Sequence, residues 1–293
     1  MCRLFGMSGG PRRVAATFWL LEAPDSLAKQ SRREPDGTGL GTFDEHDHPI
    51  VSKQPLAAYE DQKFAMAARE VRSHTFVAHI RYASTGAVNM NNTHPFEQQG
   101  RLFAHNGVIG DLRALEDELG DAMSLVHGDT DSERYFALIT RAVQQTSDVG
   151  SAIEHAAGWI AENLPVFALN CVLITPTELW ALRYPGTHEL HLLERAAGGA
   201  GGARHLDHAS ARGSIRVRSG ELAQAPAVIV ASEKMDEDPG WRPLQSGELL
   251  HVDPELNATI SRPLKDPPAH PISLADLDPR AAASQAPSRP YHG

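Results

Sequence analysis

Met1-Cys2-Arg3-Leu4-Phe5-Gly6 opens the chain, and the argument from sequence starts at its second residue. Cysteine is small enough for Met1 to be trimmed, which leaves Cys2 as the mature N-terminus. A residue there carries a thiol and a free α-amine. The amine, with an unperturbed pKa near about 8, can take the thiol proton directly or through a water. Nucleophile and base then come from one residue. Residues 2–7 read as a short strand. Any residue can stand at position 2 by chance, so the meaning of Cys2 depends on what lies further along.

Outward from Cys2, Val14–Leu21 is an apolar run that fits a helix or an extended segment. Asp36-Gly37-Thr38-Gly39-Leu40-Gly41 reads as a glycine-rich turn leading into a strand. Helices are expected over Glu60–Val71, Asp111–Leu119, Asp131–Gln145 and Ser151–Asn163, where apolar residues recur at helical spacing. Strands are expected at Thr75–Arg81, Leu102–Gly107, Val166–Ile174, Leu179–Tyr184, Leu190–Glu194, Ala227–Ser232, Leu249–Val252 and Ala258–Ser261. The second of these ends on Asn106-Gly107, a hairpin-turn dipeptide. Ala196–Gly213, rich in Gly, Ala and His, reads as a mobile insertion. Strands and helices come in runs rather than in strict alternation, which favours a layered α+β fold over a doubly wound sheet. From Pro263 onward the chain holds seven of its 20 prolines. The expectation is one folded domain over residues 2–264, followed by a disordered Pro/Ala-rich tail over 265–293.

The composition, 41% apolar and 22% charged, is that of a soluble globular protein. No stretch approaches the roughly 18 apolar residues that a membrane helix needs, and no signal peptide is indicated. A formal charge of -10 argues against nucleic-acid binding, which uses a basic surface. Of the two cysteines, Cys171 lies in an apolar run and reads as an inert core thiol. Two cysteines make no disulfide framework, so a reducing cytoplasm is expected. The 15 histidines are scattered, without the spacing of a zinc site.

Four segments carry a resemblance. They are Cys2-Arg3-Leu4-Phe5-Gly6; His79-Ile80-Arg81-Tyr82-Ala83-Ser84-Thr85-Gly86 with Asn92-Thr93-His94-Pro95-Phe96; Phe103-Ala104-His105-Asn106-Gly107; and Gly128-Asp129-Thr130-Asp131-Ser132-Glu133. In order and rough spacing they resemble the class II glutamine amidotransferases, the N-terminal-cysteine branch of the N-terminal-nucleophile (Ntn) hydrolases. Val228–Lys234 and Pro239–Leu244 resemble the C-terminal half of stand-alone members. The resemblance thus covers nearly all of the chain except the tail. It is strongest to the stand-alone YafJ-type group, related to the γ-glutamyl amidohydrolase of ergothioneine synthesis.

The resemblance implies a four-layer αββα sandwich, two antiparallel sheets between helices. It implies Cys2 as nucleophile, with the Asn106 side chain and the Gly107 backbone N–H as oxyanion donors. Arg81 matches the residue that binds the substrate α-carboxylate, where a guanidinium can bond in bidentate fashion. Asp131 matches the residue for the α-ammonium, though it also fits a helix N-cap, as do Asp129 and Thr130. His79, His94 and His105 read as structural. No metal or cofactor is implied. The partner is a small γ-glutamyl substrate, neither nucleic acid nor membrane. The expected activity is hydrolysis of a γ-glutamyl amide through a thioester. Two alternatives are a glutaminase component feeding ammonia to a synthase partner and a non-catalytic γ-glutamyl-binding regulator.

Overall fold

The computed structural model describes residues 2–33, 36–82, 87–198 and 225–285, and the backbone of 207–209 and 216–218. Two antiparallel sheets stack face to face. The first has the strand order Arg242–Pro243, His191–Arg195, Ala227–Ala231, Arg3–Ser8, Thr75–Arg81, Gly37–Phe43, Pro49–Gln54. The second runs Ala258–Ser261, Leu249–Val252, Leu179–Leu182, Pro165–Ile174, Arg101–Ile109, Phe96–Gln98. Strands that alternate their side chains across a pleat can feed two cores at once. Leu4, Val77, Leu102, Ala104, Val172, Val228 and Val230 fill the space between the sheets.

Helices cover both outer faces. Asp131–Thr146 and Val149–Asn163 press Tyr135, Phe136, Ile139, Ile153 and Ile160 onto the second sheet. On the first sheet, a wide helical turn at Phe18–Glu22 and the helix Gln62–Glu70 bury Phe18, Trp19 and Phe64 against Phe5, Met7 and Phe76. The result is the α+β four-layer sandwich expected from the sequence.

Three local readings are corrected. The glycine-rich stretch is strand from Gly37 to Phe43, not a turn. A Cβ at Gly39 would run into the His94 carbonyl, so glycine here permits close approach between segments. Asn106-Gly107 likewise lies inside the strand Arg101–Ile109, paired opposite Asn170 and Leu169. Gly107 has no room for a side chain, because a Cβ would meet the Ala168 carbonyl. The third correction is the tail. His270–Pro271 pairs in parallel with Pro165–Val166, and Ile272 N donates to Val166 O at 3.0 Å. Ile272, Leu274 and Leu277 pack on Val108, Phe167 and Ala168. The helix Pro279–Gln285 follows, with Ala281, Ser284 and Gln285 buried. These apolar contacts outweigh the proline content that suggested disorder. Residues 286–293 lie outside the described residues, as does most of the 196–213 insertion.

Candidate active site

Cys2, Arg81, Gly107 and Asp131 line one cleft, together with Tyr82, His94, His105, Thr130 and Ser132. The cleft is narrow, about 20 Å³. It forms where strand ends of the first sheet meet the middle of the second. Arg3 pairs with Ile80 and Gly37 with Arg81, which sets Cys2 beside the end of the Thr75–Arg81 strand. The Cys2 thiol lies against the Tyr82 backbone. Sγ is 3.4 Å from Tyr82 O, and Tyr82 N donates to Sγ at 3.3 Å.

Asn106 does not line the cleft. It sits beneath, 1% exposed, and Nδ2 donates to Cys2 O at 3.0 Å. An amide nitrogen has two hydrogens, so one remains beyond the Cys2 carbonyl. Arg3 donates to the same carbonyl from Nη1 at 3.2 Å, and its Nη2 is 2.7 Å from Glu233 Oε1. The Cys2 carbonyl is thus held by two donors from different elements. Sequence reading missed Arg3 and Glu233, because a pair 230 positions apart leaves no local signal. Tyr82 acts through its backbone and leaves none either.

Arg81, the last residue of its strand, is 3% exposed, and Nη1 donates to Ala87 O at 3.0 Å. Burial lowers its pKa, against the opposing pull of Cys2 and Asp36. Asp131 is the first residue of its helix, but Thr130 is the cap, its Oγ1 accepting from Glu133 N at 3.3 Å. That frees Asp131 from capping. Its Oδ2 accepts from Ile109 N at 2.9 Å, which locks the helix start to the strand carrying Gly107.

Burial shifts all three histidines toward the neutral form. Burial pushes His79 down to about 3 and His94 well below its usual value; their rings lie 4.1 Å apart. His105 is also lowered by burial, with Asp131 pulling the other way. His105 Nε2 lies 3.1 Å from the Ala168 carbonyl, which can only accept, so Nε2 carries the proton and Nδ1 accepts from Ser132 Oγ at 2.9 Å. Cys171 is far less reactive than an ordinary thiol: burial pushes it up to about 12.

A thiol against a backbone amide, a buried guanidinium, a buried carboxylate and a glycine without room for a side chain meet in one cleft of an αββα sandwich. The model of the class-II glutamine amidotransferases matches residues 1–270, and the chain belongs to that family of enzymes. It is 28% identical over 263 residues to the γ-glutamyl-hercynylcysteine sulfoxide hydrolase of Mycobacterium tuberculosis, covering 86% of this chain and 93% of that one. Its fold is similar to the glutamine phosphoribosylpyrophosphate amidotransferase of B. subtilis, with TM-score 0.61 at 19% identity over 90% of this chain and 50% of that one. It is also similar to a class-II glutamine aminotransferase domain protein from Silicibacter pomeroyi, with TM-score 0.58 at 20% identity over 89% and 99%. The chain spans a smaller part of other relatives, 27% of the glutamine–fructose-6-phosphate aminotransferase of Chlamydia abortus. Among the described residues no helix is long and apolar enough to cross a membrane.

Proposed function

We propose that the chain hydrolyses a γ-glutamyl amide, glutamine or a γ-glutamyl conjugate, through a thioester on Cys2. The observation that carries this is the convergence of Cys2, Arg81, Gly107 and Asp131 on one cleft, with Asn106 tied to Cys2 beneath it. Arg81 takes the α-carboxylate and Asp131 the α-ammonium, which sets the δ-carbonyl against Sγ. With Met1 removed, the Cys2 amine accepts the thiol proton and the thiolate adds to the carbonyl carbon. Asn106 Nδ2 and the Gly107 N–H stabilise the oxyanion. The C–N bond breaks, and the amine leaves with the proton that the Cys2 amine returns. Water then attacks the thioester, restoring the thiol and releasing glutamate. A reducing cytoplasm suits such a thiol. The similarity to a γ-glutamyl conjugate hydrolase over nearly the whole of both chains favours water as the acceptor.

The alternative is a glutaminase component that passes ammonia to a separate synthase. Relatives twice this length favour it, since the B. subtilis protein has as much chain again beyond the shared part. A screen of glutamate release, run on N-terminally sequenced protein across glutamine and several γ-glutamyl amides, tests the reading. Glutamate is expected from at least one substrate, and only from protein that has lost Met1. Full activity with Met1 retained would overturn the mechanism, and no release from any γ-glutamyl amide would overturn the function.

A further inference from the structure

Cys2 stands just outside the first strand, which runs Arg3–Ser8. Pairing with Thr75–Arg81 reaches Arg3, and pairing with Ala227–Ala231 reaches Phe5. Ser232 extends the second edge by one residue. Its N–H donates to Leu4 O at 3.1 Å, and its Oγ accepts from Leu4 N at 3.0 Å. The next contact toward the N-terminus comes from a side chain. Glu233 Oε1 lies 2.7 Å from Arg3 Nη2, and Arg3 Nη1 donates to Cys2 O at 3.2 Å. Glu233 Oε2 lies 3.1 Å from Arg33 Nη2, which also meets Asp25 at 3.4 Å. Both oxygens of Glu233 are engaged, so its carboxylate is held against rotation.

Arg3 is fully buried. A buried ion pair is a weak source of stability, because desolvation offsets much of its attraction. What this pair supplies is direction. A guanidinium is planar and its N–H groups point along fixed lines, so anchoring Nη2 on Glu233 aims Nη1 at the Cys2 carbonyl. Asn106 Nδ2 reaches the same oxygen from the second sheet at 3.0 Å. A carbonyl oxygen has two lone pairs, enough for both donors. Once Met1 is lost, no peptide precedes Cys2, and the peptide it shares with Arg3 is its covalent link to the fold. Fixing the oxygen of that peptide fixes the peptide plane, and with it the Cα that bears the thiol and the amine.

We propose that Glu233 is a positioning residue for the nucleophile: through Arg3 it holds the Cys2 main chain where the thiol faces the δ-carbonyl of a bound γ-glutamyl group. The inference rests on the amidohydrolase reading with Cys2 as nucleophile and adds a residue to it. Glu233 touches no substrate in this scheme and acts only through Arg3.

The test measures kcat and KM for glutamate release from glutamine and γ-glutamyl ethylamide. Glu233→Ala should lower kcat by about 10–100-fold, the scale of an ångström's misplacement of a reacting group. KM should stay near the parent's, because Arg81 and Asp131 are untouched. Glu233→Gln keeps an acceptor for Arg3 and should recover most of the loss. Arg3→Met fills the space without a donor and should match Glu233→Ala. The double variant should lose little more than either alone, since both act through one contact. Alkylation of Cys2 by iodoacetamide should stay near the parent rate in every variant, because thiol and amine remain on one residue and a small electrophile needs no aimed thiol. Inactivation by a diazo-ketone analogue of glutamine should instead fall with kcat.

A parental kcat in Glu233→Ala would overturn the proposal, as would additive losses in the double variant or iodoacetamide rates that fall in step with kcat. Should Glu233→Ala fail to fold, Glu233→Asp decides. One methylene shorter, it should lose kcat where Glu233→Gln does not, and equal kcat in the two would overturn the proposal. Each of these failures leaves γ-glutamyl hydrolysis standing. Absence of glutamate from both substrates with the parent protein would instead remove the enzymatic reading, and the positioning role with it.

Discussion

Asn106 donates its side-chain amide to the carbonyl of Cys2 across 104 residues, at 3.0 Å. The bond ties the strand of the second sheet to Cys2 at the start of the first. Asn106 sits within the strand Arg101–Ile109, opposite Asn170, so its side chain is aimed by strand pairing rather than by a turn. Under the proposed mechanism one group has two tasks, holding Cys2 and meeting the oxyanion.

Asn106→Ala should lower kcat by about 10²–10³-fold with little change in KM, the loss expected for one oxyanion donor. Asn106→Gly separates this from a turn residue, which glycine would replace without loss. The strand pairing predicts that glycine is as damaging as alanine. A kcat near the parent's for Asn106→Gly would remove Asn106 from the mechanism.

Arg81→Lys should raise KM strongly while the protein still folds, because Lys keeps the charge but not the planar fork. Asp131→Asn should do likewise. It keeps an oxygen to accept from Ile109 N, so a rise in KM would report the lost charge rather than a loosened helix. Parental KM in both variants would place the γ-glutamyl head elsewhere.

The layers of the fold were legible because burial imprints periodicity. Val166–Ile174 reads as strand because it is apolar on both faces, buried between sheet and helices. Gly37–Phe43 was misread, since glycine signals a turn locally and only the His94 carbonyl, 55 residues away, explains Gly39. Asn106-Gly107 was misread for the same reason: dipeptide preference is weak against a nine-residue strand paired along Pro165–Ile174. The candidate site was legible as residue types and spacing. Its connections were not. Tyr82 makes its contacts through backbone atoms, and Arg3–Glu233 joins residues 230 positions apart. In the tail, Ile272, Leu274 and Leu277 were a packing signal hidden among prolines.

Cys2→Ala should abolish turnover, and Cys171→Ala should retain it. A diazo-ketone analogue of glutamine should add to Cys2 alone, since Cys171 is buried and pushed up to about 12. Mass mapping of the labelled protein checks this. Adduct on Cys171 with parallel loss of activity would contradict the choice of nucleophile.

Removing residues 266–293 should lower the melting temperature, because it strips Ile272, Leu274 and Leu277 from Val108, Phe167 and Ala168 and leaves their surface to water. It also takes away Gln285, whose Oε1 lies 2.7 Å from His188 Nε2. Calorimetry on the shortened and full chains gives the answer. An unchanged melting temperature would mean that the segment adds nothing to the folded unit.

Acid should weaken the fold through histidines kept neutral by burial. Burial holds His79 near about 3 and His188 near about 4. In the unfolded chain each titrates near about 6.5, so between these values the unfolded state binds more protons. Their contribution is complete above about pH 6.5 and is lost as pH falls toward the folded values, by at most about 1.4 kcal/mol per pH unit for each histidine. Urea unfolding at pH 7 and pH 5 should show the drop. His188→Gln, which can still hydrogen-bond Gln285, should flatten the slope without removing it, because His79 and His94 remain. The carboxylates raised by burial, Glu22 and Asp25, act in the opposite direction and are common to both proteins. A variant as pH-sensitive as the parent would mean that His188 is protonated in the folded protein as readily as in the unfolded chain.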